Sequence, residues 1–182
     1  MADLECIPNE HKPKEHTCKV VIETPQGHRS KFKYESKYES FTLAGVLPQG
    51  FSFPFDFGFV PSTQGDDGDP LDVLVLMDEP THVGCLLDVR LIGVLEADQT
   101  EDGKTEENDR ILAVPLQTHA FEHVRKMDDL PGALVHQIEG FFEAYNRIKR
   151  KEFRVKERSG PERASEIVEE GTRLFRAKEA EK

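Results

Sequence analysis

The chain of 182 residues has no tryptophan, three methionines and three cysteines. Cys6, Cys18 and Cys85 are odd in number and form no CxxC pair, so neither a disulfide scaffold nor a thioredoxin-like redox motif is expected; they read as reduced thiols. No apolar run approaches the roughly 18 residues of a membrane span. The opening stretch MADLECIPNEHKPKEH carries no apolar signal core, which argues against export and predicts a cytoplasmic protein. Basic residues are outnumbered 24 to 35 by acidic ones, giving a net charge of −11. A general nucleic-acid binder carries the opposite balance, so neither nucleic acid nor membrane is expected as a partner.

A chain of this length supports one domain, 1–182, and buries enough surface to fold without metal or disulfide staples. Apolar residues at 37% and charged residues at 32% suit a soluble globular fold. Residues 1–16 are polar, with Pro8 and Pro13, and are expected to form a loose N-terminal arm. Strands are expected over 18–24, 31–35, 41–50, 72–77, 84–96 (bent at Gly93) and 110–115. In 31–35 the alternation puts Lys31, Lys33 and Glu35 on one face and Phe32 and Tyr34 on the other. Phe51, Phe53, Phe55, Phe57 and Phe59 recur at every second position, but Pro54 and Gly58 break regularity, so an irregular extended segment is expected. Helices are expected over 118–130, from Pro131 to about 150, and from Pro161, where Gly171 weakens the middle. Strands followed by helices predict an α+β fold, a small closed β-barrel with C-terminal helices against it.

The net charge is concentrated in two places. Residues 66–72, DDGDPLD, carry four aspartates, and 96–109 carry seven acids and one base. Asp, Gly and Pro are ordinary turn residues, and a solvated turn accounts for part of the first cluster. Asp72, however, opens an apolar strand, where an unpaired carboxylate is costly. Asp67, Asp69 and Asp72 converge if the turn folds back, and clustered oxygens suit Mg²⁺ or Mn²⁺. The spacing excludes an EF-hand, because Leu71 and Asp72 fall where that loop needs an acid and glycine. Zinc has no His or Cys near these aspartates, and Cys6, His11, His16 and Cys18 are irregularly spaced. Residues 96–109 read as a long hairpin loop, either merely solvated or contributing a ligand from Glu101, Asp102, Glu107 or Asp109. The run 147–158 carries seven bases and two acids. It reads as a solvated helix end or as an anion-binding edge, with Lys31, Lys33 and Arg110 as further cations. Metal-binding carboxylates ringed by Lys and Arg suit a highly charged phosphate compound.

DDGDPLDVLVL, together with KVVIETP, FKYE, FGFVPST, GVLE…NDRILAVP and FFEAYNRIK in that order, resembles the family I soluble inorganic pyrophosphatases over roughly residues 18–150. The resemblance implies an OB-like barrel and Mg²⁺-dependent hydrolysis of pyrophosphate to two orthophosphates, with Mn²⁺ as a substitute ion. By the same resemblance, Asp67, Asp69 and Asp72 hold metal, and Asp67 is the general-base candidate with Asp72 beside the nucleophilic water. Glu23 and Glu35 match acidic positions of the site, Lys33 a phosphate-binding lysine, and Tyr145 a phosphate-contacting tyrosine. Arg110 stands where the family has lysine. Homo-oligomers are also implied.

The chain departs from the pattern at Gly45, where arginine is expected, at Phe53 and Phe57, where tyrosines are, and at Asn146, where lysine is. An expected aspartate aligns with Asn108, leaving Glu107 or Asp109 as substitutes. His28, Arg29, Arg147 and Lys149 are candidates to restore the lost charge. The departures keep two other readings open: hydrolysis of a different phosphoanhydride or phosphate ester, and a non-catalytic metal-dependent phosphate-binding module. A nucleic-acid-binding barrel fits less well, since its stacking aromatics need exposure in a basic groove.

Overall fold

The structure, a computed structural model, describes residues 3–181. In chain order its strands are β1 (Thr17–Thr24), β2 (Ser30–Glu35), β3 (Ser40–Val46), β4 (Asp56–Val60), β5 (Leu71–Val75), β6 (Leu86–Glu101), β7 (Lys104–Glu107) and β8 (Arg110–Pro115). The helix α1 (Gly132–Ile148), a ninth strand β9 (Glu152–Ser159) and the helix α2 (Pro161–Ala180) complete the chain. Pairing runs β1–β4–β5–β8–β6 and returns from β6 to β1, a five-stranded ring in which only β5 and β8 are parallel. β7 and β9 extend the sheet from β6, while β2 and β3 form a separate hairpin. This is the expected α+β ring with two C-terminal helices.

Strand alternation divides the apolar side chains between two cores. Leu74, Leu112 and Ile92 pack with Ile138, Phe141, Phe142 and Tyr145 of α1. Val73, Ile111, Leu91 and Val94 pack with Ala164, Ile167 and Val168 of α2. The alternation in β6 slips by one residue at Gly93, where the pairing with β8 also shifts register. Gly93 has φ +156°, and a Cβ there would stand 2.6 Å from the Ser159 carbonyl oxygen. The expected bend is therefore a bulge that lets one long strand feed both cores. Gly171, expected to weaken α2, is a contact point instead: a Cβ would come within 2.8 Å of Leu71.

Four expectations are corrected. Residues 3–16 are docked rather than loose. Leu4–Cys6 form a 3₁₀ turn, Leu4 packs near Tyr34, and buried Asn9 donates to the Pro61 carbonyl and to Thr172 Oγ1. Met1 and Ala2, also assigned to the arm, lie outside the described residues. The segment 118–130 is turns with only Met127–Asp129 as a 3₁₀ helix. Asp78 accepts hydrogen bonds from Thr118 Oγ1 (2.6 Å) and the His119 amide (2.6 Å), which takes those groups away from a helix. The basic run is not a continuing helix end, because β9 pairs with β6 from Glu152 onward. The second acidic stretch is likewise ordered, as β6 and β7 join through Asp102-Gly103, both at positive φ. Among the described residues, no helix is long and apolar enough to cross a membrane.

Candidate active site

Asp72 and Arg110 each stand one residue before Val73 and Ile111, which pair across the parallel strands β5 and β8. That register sets the two side chains next to each other, with Arg110 Nη1 2.8 Å from Asp72 Oδ2. Arg110 is buried beside the rings of Phe142 and Phe153 and also donates to Asn108 Oδ1 and to the Asp109 carbonyl. Its Nε has no hydrogen-bond partner among the described residues. The pair forms a wall shared by two cavities.

The larger cavity, about 220 Å³, is lined by Glu23, Lys31, Lys33, Asp69, Tyr145 and Lys149, among others. Lys33 Nζ lies 2.8 Å from Asp69 Oδ2, joining the β2–β3 hairpin to the aspartate turn. Glu23, buried on β1, accepts from the Tyr34 amide (2.8 Å) and from Lys31 Nζ (3.1 Å). Burial pushes its carboxyl upward, opposed by Lys31. Tyr145 and Lys149 are one helical turn apart and share a face, with the lysine ammonium 4.4 Å from the tyrosine ring centre. Burial raises the Tyr145 hydroxyl and lowers the Lys149 ammonium, the latter helped by Lys151.

The smaller cavity, about 110 Å³, brings Asp67 together with Glu107, Asn108 and Asp109 of the second acidic stretch and with Arg163 and Glu170 of α2. Asp67 Oδ1 accepts from the Asp69 amide at 3.1 Å, an Asx turn, and Gly65 donates to the Asp69 carbonyl at 2.8 Å. Partial burial holds Asp67 above its ordinary value, and the charges of Asp72 and Asp69 push the same way. Asp109 is raised by burial and then by Glu96 and Glu107, while its Oδ1 accepts from the Ala97 amide.

Four expected site residues are not brought to either cavity. Glu101, near the tip of the β6–β7 hairpin, is paired with Lys151 at 2.8 Å instead. Glu35 lies beyond Lys33 on β2 and lines neither, though its charge supports that of Lys33. Asp102 sits exposed in the β6–β7 turn, at the tip of the hairpin whose base carries Glu107. Arg147 is exposed on α1, two positions and more than half a helical turn from Tyr145. Of the candidates for restoring charge, Arg29 is spent on the Leu47 carbonyl (2.8 Å) and His28 packs on Phe32, which leaves Lys149 facing the cleft. Asn146 is buried and donates to the Phe142 carbonyl of its own helix. Gln99, Lys151, Arg163 and Glu170 were not singled out by sequence; Lys151 was visible only as one charge in the basic run.

Among the described residues, no three His, Cys, Asp or Glu side chains are gathered to hold a metal ion. Asp69 is drawn to Lys33, Asp72 to Arg110, and Asp67 to a backbone amide. The donor chemistry nevertheless fits a hard divalent cation. The candidate ligands are all carboxylates, and mutual repulsion among Asp67, Asp69 and Asp72 is the charge pattern that such an ion relieves.

Residues 20–176 match the family model described as inorganic pyrophosphatase. Two relatives bear the same name. The Synechocystis sp. protein is 38% identical over 149 residues, 82% of this chain and 85% of the relative. The Geobacillus stearothermophilus protein is 34% identical over 151 residues, 83% of this chain and 89% of the relative. A crystal structure of inorganic pyrophosphatase from Thermus thermophilus superposes with a TM-score of 0.86 at 31% identity, covering 96% of this chain and 99% of the other.

Proposed function

The chain belongs to the inorganic pyrophosphatase family and hydrolyses pyrophosphate to two orthophosphates; we propose that the ion it uses is Mg²⁺, with Mn²⁺ as a substitute, held by Asp67, Asp69 and Asp72. The observation that carries this reading is the shared Asp72–Arg110 wall, with the aspartate turn on one side and a cation-lined cleft on the other. Glu107 and Asp109 are the acids of the second stretch suited to complete the ligand set, since they line the same cavity as Asp67. Mg²⁺ bound to these oxygens supplies a more acidic water and neutralises charge developing on the leaving phosphate.

The remaining work falls to the chain itself. Lys33, Arg110 and Tyr145 bind the phosphoryl oxygens, and Lys149 supplies the charge missing at Asn146. Arg110 presents several donors in a fixed fork, whereas the lysine implied by the resemblance would be a point charge. Asp67 accepts the proton of the attacking water. A carboxylate beside a divalent cation stays ionised and so remains able to accept that proton. Glu23 orients the site from β1 through its bonds to the Tyr34 amide and Lys31.

We place the chain in the cytoplasm as a single domain that assembles with copies of itself. The exposed apolar side chains of Tyr38, Leu43 and Val46 around β3 support an association surface. Light scattering tests the assembly. Phosphate release from pyrophosphate with Mg²⁺, with Mn²⁺ and with chelator tests the ion: the account expects turnover with either ion and none with chelator.

A further inference from the structure

We propose that Lys31 is a substrate-binding cation of this site, gripping a phosphoryl oxygen of pyrophosphate alongside Lys33. The inference rests on the functional reading above and adds a residue to it.

Lys31 lies on β2, two positions before Lys33 and on the same face, and both line the larger cleft. Its side chain is only 14% exposed. The ammonium sits 3.1 Å from Glu23 Oε2 and 3.9 Å from the centre of the Phe57 ring, with Phe53 at 5.9 Å. Two constraints therefore aim it: a carboxylate, and an aromatic face that attracts cations. A side chain with four rotatable bonds held this way has already lost the freedom that ligand binding would otherwise remove.

Stability is a weak reason for such a burial. Desolvating a lysine and a glutamate costs about as much as their attraction returns. Glu23 has a further donor in the Tyr34 amide. Lys31 can make three hydrogen bonds, and the described residues supply it with one hydrogen-bonding partner, Glu23. Across the hairpin its register partner is Gly45, which has no side chain, and a Cβ placed there would meet nothing within 4 Å. The hairpin is thus open beside the ammonium. From the opposite wall comes Tyr145, whose hydroxyl feels the Lys31 charge. An anion entering between hairpin and α1 meets Lys31 from one side and Tyr145 and Lys149 from the other.

The alternative is that Lys31 only neutralises Glu23. The two roles separate in a metal-free binding measurement, using methylenediphosphonate as a non-hydrolysable probe, together with steady-state kinetics on pyrophosphate. Lys31→Met keeps the stem and removes the charge. It should weaken probe binding and raise KM by about 10–100-fold, the worth of a charge-assisted hydrogen bond, with a smaller change in kcat. Lys31→Arg should recover most of the affinity. The loss should persist in a Glu23→Gln background, where no carboxylate needs neutralising. Unchanged probe affinity and KM in a folded Lys31→Met protein, or disappearance of the loss in the Glu23→Gln background, overturns the proposal, as does a wild-type chain that does not bind the probe. A wild-type chain that binds the probe through Lys31 yet releases no phosphate from pyrophosphate would leave this role standing and remove the functional reading instead.

Discussion

Arg110 Nη1 stands 2.8 Å from Asp72 Oδ2, at adjacent ends of the only parallel strand pair in the ring. Asp72 is one-third exposed and Arg110 is buried against two phenylalanines, so water screens the carboxylate side more than the guanidinium side. Arg110→Met should lower kcat/KM for pyrophosphate about 10–100-fold and cost about 1–2 kcal/mol of stability in urea unfolding, because a charge partner is lost and part of the packing kept. Arg110→Lys should recover some activity, lacking only the fork. Wild-type kinetics in Arg110→Met would contradict the phosphate-binding role.

His11 tests whether the N-terminal segment is docked. Its Nε2 is 2.7 Å from Ser165 Oγ on α2, and burial lowers its pKa below 6.5, with Glu169 opposing. A lowered histidine pKa means that the unfolded chain binds the proton more readily than the folded one. The stabilisation is complete above the unfolded value and is lost as pH falls through about 6.5 toward the folded value. The melting temperature should therefore drop more steeply from pH 7 to 5 in the wild type than in His11→Gln. Parallel profiles would mean that His11 is solvated in both states.

Asp78 organises the segment where a helix is expected from sequence and turns are found. Its carboxyl is held below the ordinary range by Thr118 first and the His119 amide next. Asp78→Ala should lower the melting temperature and speed hydrogen exchange at the His119 and Ala120 amides, while leaving exchange in α1 unchanged. Unaltered exchange at those two amides would contradict the assignment.

These cases show which features sequence can reveal. The aspartate turn was legible because four acids before an apolar strand conflict with burial unless something compensates them. α1 was legible from Ile138, Phe141, Phe142 and Tyr145 at helical spacing, all of which are buried. β9 was not, because seven bases in 147–158 mask an alternation carried only by buried Phe153 and half-buried Val155. The 118–130 segment depends on a carboxylate some forty residues away. The docked segment depends on Asn9 reaching Pro61 and Thr172, contacts that no local pattern encodes. At the site, residue identity gave candidates and strand register sorted them: Glu107 and Asp109 sit at the base of the β6–β7 hairpin beside Asp67, while Asp102 sits at its tip.

The central claim is that the carboxylates of the aspartate turn hold the ion and take the water proton. Phosphate release from pyrophosphate with Mg²⁺, compared among the wild type, Asp67→Asn and Asp72→Asn, tests it most directly. Each substitution keeps side-chain size and removes one charge. Both variants should melt cooperatively, Asp67→Asn near the wild-type temperature and Asp72→Asn below it because buried Arg110 loses its charge partner, and both should lose at least about 100-fold in kcat, the scale of a lost catalytic base or metal ligand. Equal turnover in all three proteins would contradict the account.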